Sequence, residues 1–393
     1  MNAVDGSNQL TSLVEFGWSA YDLVEIKDME TFKAEEEYKG LTKSFQNTFT
    51  YFQSPEPKEH FSSTTKILFI YFQTDSVNMP FIRLVMAGTG GLAKLAIPAI
   101  LSSTQPKFEV TILTRKTSST PPSFPGAKVV QVDYSDHAEL VRLSAGADAI
   151  VSLVNGGISR IVDRQLLAAA QEAGVRRIFP SEYSLEILHP SAQSLLTLDK
   201  PWPDNLAVVP LAKEFVDLAN KGGPTSFTTI VPSAFIDEWV KGSFALFEPK
   251  NNKVTVLDGG DHPFTGSSLP FIAGCLVAAL KMDEEKTKNK RLHVSEVRTT
   301  VNEIISLYEK ITGRGFERVP ITTQELTEQR NRYFADGQSF PAILTTIQIA
   351  AFGGGGAGDL EDGLQFDGDG FLDVKRKSIE QLVREGLEMI GVA

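Results

Sequence analysis

One cysteine, Cys275, stands in 393 residues, which excludes an intramolecular disulfide and any metal site built from several thiolates. No apolar run approaches the roughly 20 residues that a membrane-crossing helix needs. The longest suspicious run, Ile67 to Phe72, is six residues long. Positive charge is scarce as well. With 38 Lys and Arg against 49 Asp and Glu the net charge is −11, which argues against a nucleic-acid surface or an anionic membrane surface. None of the eight tyrosines is followed four residues later by lysine, so the Tyr-x-x-x-Lys pair of typical short-chain dehydrogenases is missing. There is no G-x-S-x-G elbow and no H-E-x-x-H helix, and the five histidines are dispersed, so hydrolase and metalloenzyme readings have no support. No bound metal is expected. A hydrophobic content of 42% excludes wholesale disorder, and with no basic leader before Lys27 the expectation is a soluble, cytoplasmic protein.

Arginine is absent from the first 78 residues, where six lysines face twelve acidic residues. Glu35-Glu36-Glu37 and the Gln-Ser-Pro-Glu-Pro stretch at 53–57 suit a solvated tail. Residues 1–78 are expected to be a poorly structured extension. It is either an upstream gene-model artefact with Met79 as the natural start or a partly disordered arm.

From Ile82 onward short apolar runs alternate with helical periodicity. Strands are expected at Ile82–Ala87, Phe108–Leu113, Lys128–Val132, Ala147–Val154, Val175–Phe179 and Phe227–Val231. Between them, Leu92, Leu95, Ala96 and Ala99 fall at helical spacing. Asp136 can cap a short helix to Leu143, and a helix over 159–173 is stopped by Gly174. This alternation specifies βαβ units, hence an α/β fold with a doubly wound parallel sheet. The second half carries helices at Ser268–Met282, at Val301–Ile311 before Gly313, and after the capping Ser378, with short strands such as Lys253–Leu257. The glycine-rich run from Gly353 to Gly370 is expected to be a mobile loop. Asp367-Gly-Asp369-Gly lacks the spacing and terminal Glu of a calcium loop.

The first βα junction is Ala87-Gly88-Thr89-Gly90-Gly91-Leu92-Ala93, a G-x-G-x-x-A pattern through Gly88, Gly90 and Ala93. Glycines there let the backbone approach a pyrophosphate seated on the helix N-terminus; a plain tight turn is the alternative. The second strand ends in Thr114-Arg115-Lys116 with no acid. An acid would meet a ribose 2′-hydroxyl, whereas Arg115 and Lys116 suit a 2′-phosphate, so NADPH is the expected cofactor. In open α/β sheets, ligands sit beyond the carboxyl ends of the strands. That places Asn155 and Gly156 after strand four, and Pro180, Ser181 and Glu182 after strand five, toward a nicotinamide. An ordinary strand-end turn explains Asn155 and Gly156 equally well. Lys213 lies on a helix with Leu211, Phe215 and Leu218 apolar, where a lone lysine is ordinarily a solvated charge.

Together, the degenerate glycine turn, Arg115, Arg177-Ile-Phe-Pro-Ser-Glu-Tyr183, Lys213, Phe264-Thr265 and Asn302–Lys310 resemble the NmrA-like, isoflavone-reductase-like family of atypical short-chain dehydrogenases, over about residues 79–390. The resemblance implies a Rossmann-type NADP-binding domain, assigned to 79–235, and a smaller, mainly substrate-side α+β domain over 236–393. Of the family's G-x-x-G-x-x-G turn, Ala87, Gly90 and Ala93 hold the matching positions, and Gly88 can supply the tight turn that Ala87 does not. Lys213 matches the catalytic lysine of the reductase branch, where partial burial beside the cofactor would lower its pKa. Residues 184–206 match a variable substrate loop. Tyr183, His189, Trp202, Phe235 and Trp239 are the candidate substrate contacts, and plain packing is the alternative for them. The implied function is reduction of a small apolar or aromatic metabolite, in secondary metabolism, by a monomer or homodimer. Two rivals remain: a non-catalytic NADP(H)-sensing regulator that binds a protein partner, and a non-redox enzyme on the same fold.

Overall fold

The computed structural model describes residues 80–116, 122–196, 208–243, 246–361 and 373–393. The expected N-terminal extension therefore lies outside the described residues, as do Trp202 and the Asp367–Gly370 stretch.

The chain opens with β1 (Arg83–Ala87), α1 (Gly91–Leu101), β2 (Glu109–Arg115), β3 (Lys128–Val132), α2 (His137–Ser144) and β4 (Ala149–Ser152). It continues with α3 (Gly156–Ala173), β5 (Arg177–Phe179), α4 (Pro190–Leu196), α5 (Val208–Lys221) and β6 (Ser226–Val231). All six strands join one sheet, with β11 (Lys290–His293) added at its edge, in the order β11-β6-β5-β4-β1-β2-β3. Every pairing in it is parallel.

Side chains alternate across this sheet, and both of its faces are covered. Leu84 and Met86 of β1 join Val110 and Ile112 of β2, Ala149 and Val151 of β4 and Ile230 of β6 in one buried cluster. Val85, Leu113, Ile150, Ile178 and Phe227 point the opposite way into a second cluster. The first face is closed by Ala93, Ala96, Ile97 and Ile100 of α1 and by Phe271, Cys275, Leu276 and Ala279 of α7 (Leu269–Lys281). The second is closed by Leu140 of α2, Leu166 and Ala169 of α3, and Leu211 and Phe215 of α5. This is why the central strands are rich in apolar residues: a sheet covered on both faces buries most of its residues, at roughly 1.5–3 kcal/mol for each fully buried Leu, Ile or Phe.

The second half contributes β7 (Ala234–Phe235), α6 (Ile236–Trp239), β8 (Phe247–Glu248), β9 (Lys253–Leu257), β10 (Phe264–Ser267), α7 and α8 (Glu284–Thr287). After β11 follow β12 (Val297–Thr299), α9 (Val301–Thr312), β13 (Glu317–Ile321), α10 (Thr323–Ala335), α11 (Ser339–Phe352) and α12 (Ile379–Met389). Two three-stranded sheets form, β12-β10-β7 and β13-β9-β8. A third buried cluster gathers Trp239, Phe247, Phe264, Tyr308 and Phe352. Division of the chain at residue 235 is not linear in space, because α7 and β11 return to the first sheet.

Caps agree with the local sequence. Thr300 Oγ1 accepts from Glu303 N at 3.1 Å at the start of α9, and Gly313 closes that helix at φ +67°. Ser378 and Gln381 form a capping box on α12.

The glycine-rich run departs from the mobile loop expected of it. Over residues 353–361 it is a packed strap: Ala357 and Leu360 are fully buried. Gly358 O accepts from Ser233 Oγ at 2.9 Å and from Thr265 N at 2.8 Å. Asp359 pairs with Arg298 at 2.7 Å. Glycine is used here for close approach: a Cβ on Gly358 would stand 2.5 Å from Ala351 O.

Candidate functional site

Strands β1, β2 and β3 proceed in one direction across the sheet and β4, β5 and β6 in the other, so the order reverses between β1 and β4. A crevice opens at such a reversal, outside the carboxyl ends of the strands. Here it is a cavity of about 190 Å³ lined by Gly88, Thr89, Gly90, Thr114, Arg115, Tyr134 and the end of β4 through Asn155.

Gly88 sits at the reversal with φ +103°, and a Cβ there would lie 2.5 Å from Leu153 O. Only glycine fits. Ala87 remains the last residue of β1, fully buried, so the tight turn falls one residue later than in the family pattern. Gly90 is the N-cap residue of α1, in extended backbone, and a Cβ there would meet nothing within 4 Å. The first turn of α1 carries no acid. Its first N–H groups have no side-chain cap and carry the positive end of the helix dipole. Leu92 and Ala93 do something else. Ala93 is fully buried and Leu92 packs against the same cluster, so their side chains serve helix–sheet packing and only their backbone N–H groups can meet a ligand.

At the end of β2, Arg115 is exposed and has no ion-pair partner among the described residues. Lys116 does have one: its Nζ lies 3.1 Å from Glu139 Oε2. Of the two expected phosphate ligands, only Arg115 is uncommitted. Tyr134, two residues past β3, completes the wall, its hydroxyl donating to Leu113 O at 3.0 Å. Sequence reading passed over Tyr134, although its place just beyond a strand's carboxyl end marks it.

Asn155 caps α3, its Oδ1 accepting from Gly157 N at 2.9 Å, and Gly156 begins the helix exposed. Helix α3 thus starts three residues before its apolar stripe announces it.

The turn after β5 spends its polar side-chain atoms on the protein itself. Ser181 Oγ donates to Val154 O at 2.8 Å, tying the ends of β4 and β5 together. Ser181 N donates to Asp163 Oδ2 at 2.8 Å. Glu182 Oε1 lies 2.5 Å from Arg291 Nη2. The side chains of Ser181 and Glu182, expected to face the nicotinamide, are engaged in building the turn, and backbone is what Pro180–Glu182 can offer a ligand.

Asp163 went unnoticed in the sequence, although an acid between Val162 and Leu166 on the inward stripe of α3 is a legible interruption. Its carboxyl is fully buried. Burial pushes its pKa up to about 7, against the stabilising Ser152 hydroxyl and Ser181 N–H and with reinforcement from the Glu182 charge. The Tyr183 hydroxyl is buried nearby and is pushed up, first by burial and then by the Asp163 charge.

The candidate substrate contacts separate. Tyr183, His189 and Phe235 are half-buried. His189 Nδ1 meets Ser191 Oγ at 2.8 Å, with Gly356 of the strap close against its ring. Trp239 is 2% exposed, its ring 4.7 Å from Phe352 and 6.5 Å from Phe247 in edge-on contacts. It is a core residue, which favours packing, the alternative open to it from the sequence.

Helix α5 connects the parallel strands β5 and β6, so it runs against them with its first turns at the carboxyl edge of the sheet. Lys213, in the second turn, is exposed among the described residues. The partial burial expected of it is not found there. Its neighbour Glu214 fixes the helix to α3 through Arg164 Nε at 2.8 Å. At the opposite end of β5 the fully buried Arg177 is held by Ser226, Thr228 and Thr287 hydroxyls at 2.6–2.8 Å, so the first residue of the Arg177–Tyr183 motif is structural.

Among the described residues no group of His, Cys, Asp and Glu could hold a metal ion, and no helix is long and apolar enough to cross a membrane. A family model described as NAD(P)H-binding matches residues 87–254. An isoflavone reductase homolog of Arabidopsis thaliana is 26% identical, over 62% of this chain and 78% of its own length. A phenylcoumaran benzylic ether reductase of Populus trichocarpa is 26% identical over 62% and 79%. The oxidoreductase poxI of Penicillium oxalicum is 26% identical over 72% and 87%. The leucoanthocyanidin reductase–NADPH complex of Vitis vinifera shares the fold at a TM-score of 0.59 and 18% identity, covering 78% of this chain and 99% of that one.

Proposed function

We propose that this chain, an isoflavone-reductase-like protein with an NAD(P)H-binding domain, is an NADPH-dependent reductase of a small apolar or aromatic metabolite. The uncommitted Arg115 at an acid-free β2 end carries the reading, because a guanidinium there suits a 2′-phosphate and has no other employment among the described residues. Gly88 and Gly90 leave backbone room for a pyrophosphate at the N-terminus of α1. Bound NADPH supplies a hydride. Lys213 supplies a proton to the substrate atom that gains negative charge as the hydride arrives. Tyr183, His189 and Phe235 form a substrate wall whose aromatic content suits a phenolic compound. The benzylic ether reductase among the relatives supports that class; a role in secondary metabolism in the cytoplasm is part of the same proposal.

The test is calorimetric titration with NADPH and NADH, followed by a screen of aromatic carbonyl and ether substrates for NADPH consumption. Selective NADPH binding that Arg115→Ala abolishes, with turnover lost in Lys213→Ala at retained affinity, is the expected result. Equal, weak binding of both nucleotides would remove the reading.

A further inference from the structure

The loop leaving β5 crosses the end of β6 and comes down on the edge strand β11, where two buried carboxylates meet one guanidinium. Arg291 Nη2 lies 2.5 Å from Glu182 Oε1 and 2.8 Å from Glu186 Oε1, and Arg291 Nε lies 3.1 Å from Glu186 Oε2. His293 Nε2 approaches Glu186 Oε2 at 2.6 Å, and Leu188 N donates to Glu186 Oε1 at 2.8 Å. The side chains of Glu182, Glu186 and Arg291 are only 9%, 5% and 11% exposed. The backbone of the same loop is tied to the glycine-rich strap, Glu186 N donating to Ala357 O at 3.3 Å.

Burying such a cluster gains little stability over well-packed apolar residues, because desolvation offsets the attraction. What it does impose is a single conformation. Two carboxylates four residues apart must both reach one planar fork, and that fixes the path of 182–188. This stretch carries Tyr183 and delivers His189, the two wall residues nearest the turn.

We propose that Arg291 is a positioning residue: acting through Glu182 and Glu186, it sets the substrate-side wall against the nucleotide site without touching either ligand. The proposal rests on the reductase reading of that turn. Arg115 belongs to β2, five strands from β11, or roughly 24 Å at the usual strand spacing. Arg291 and the phosphate end should therefore be separable.

Arg291→Lys, Arg291→Gln, Glu182→Gln and the Glu182→Gln/Arg291→Gln double variant of the full chain would be titrated with NADPH, recording both affinity and the emission of the bound nicotinamide. Affinity should stay within about 3-fold of wild type while the emission changes, with Arg291→Lys intermediate because it keeps the charge but loses the fork. The double variant should fall short of the sum of the singles, since the two residues act as one unit. With a substrate from the screen, KM should rise about tenfold, with a smaller change in kcat. Wild-type emission and KM in Arg291→Lys and Glu182→Gln, or strictly additive effects, would overturn the proposal. Should Arg291→Gln not fold, those two variants decide alone. NADPH binding by the wild type without turnover on any substrate would defeat the reductase reading, and the emission comparison would still decide the role of Arg291.

Discussion

Ser181 N donates to Asp163 Oδ2 at 2.8 Å, so a buried carboxylate on α3 holds the turn that ends β5. A carboxyl in that position must choose between its hydrogen bonds, which favour the charge, and burial, which opposes it. Burial wins, and the group titrates at about 7.

This has a consequence for stability against pH. The folded-state pKa of Asp163 is raised above the unfolded value of about 3.9, so between about pH 4 and pH 7 the folded chain binds the proton and the unfolded chain does not. Stability from this group is greatest below pH 4 and declines as pH rises toward 7, by up to about 4 kcal/mol. Asp163→Asn keeps an acceptor for Ser181 N and removes the charge. Melting curves should show it stabilised relative to wild type most at pH 8, by roughly a third as much at pH 5, and close to wild type only below about pH 4; equal shifts at pH 8 and pH 4 would contradict this account.

Substitutions of the two glycines of the cradle should differ in what they cost stability, and both should weaken nucleotide binding. Gly88→Ala drives a Cβ into Leu153 O at a positive φ, so the melting temperature should fall, at a cost of about 2–3 kcal/mol, and nucleotide binding should be lost. Gly90→Ala meets no protein atom and should leave stability within about 0.5 kcal/mol while weakening NADPH affinity, because the added methyl occupies the ligand's side of the turn.

Arg115 and Lys116 are adjacent in sequence and unequal in structure. Arg115→Ala should lower NADPH affinity by about 10- to 100-fold and leave NADH unchanged, the loss shrinking at high salt. Lys116→Ala, whose amine is shared with Glu139, should cost no more than about 3-fold. Calorimetry at two ionic strengths distinguishes the pair.

Trp239 packs edge-on between Phe247 and Phe352. Trp239→Ala should lower the urea-derived stability by about 3–5 kcal/mol through the cavity it leaves, with NADPH affinity unchanged in the fraction that remains folded. A stable variant with a large change in substrate KM would restore Trp239 to the substrate wall.

Legibility differed between the halves of the chain. The main strands announced themselves because both faces of their sheet are covered, leaving apolar runs such as Leu84–Ala87. Helices α10 and α11 escaped notice. In α10 only Leu326 and Arg330 are buried, and in α11 Phe340 stands exposed among apolar neighbours, so neither shows a clean amphipathic stripe. The strap at 353–361 looked mobile because glycine signals freedom in a sequence, whereas here it permits the close contacts that freeze the chain.

In the candidate site the division follows the range of the interactions. Glycine at 88 and 90 and an arginine at 115 answer to local demands: backbone conformation at a strand end and charge at a fixed distance along the chain. The sequence alone therefore determined the parallel α/β class, the position of the glycine turn and the sign of the charge beside it. What Ser181 and Glu182 do was decided only by folding, because their partners, Asp163 and Arg291, lie 18 and 109 residues away and meet them through strand order. The same holds for Trp239 and Lys213. An aromatic ring and a helical amine carry no local mark of core or surface, and only the packing of distant elements assigned one to each.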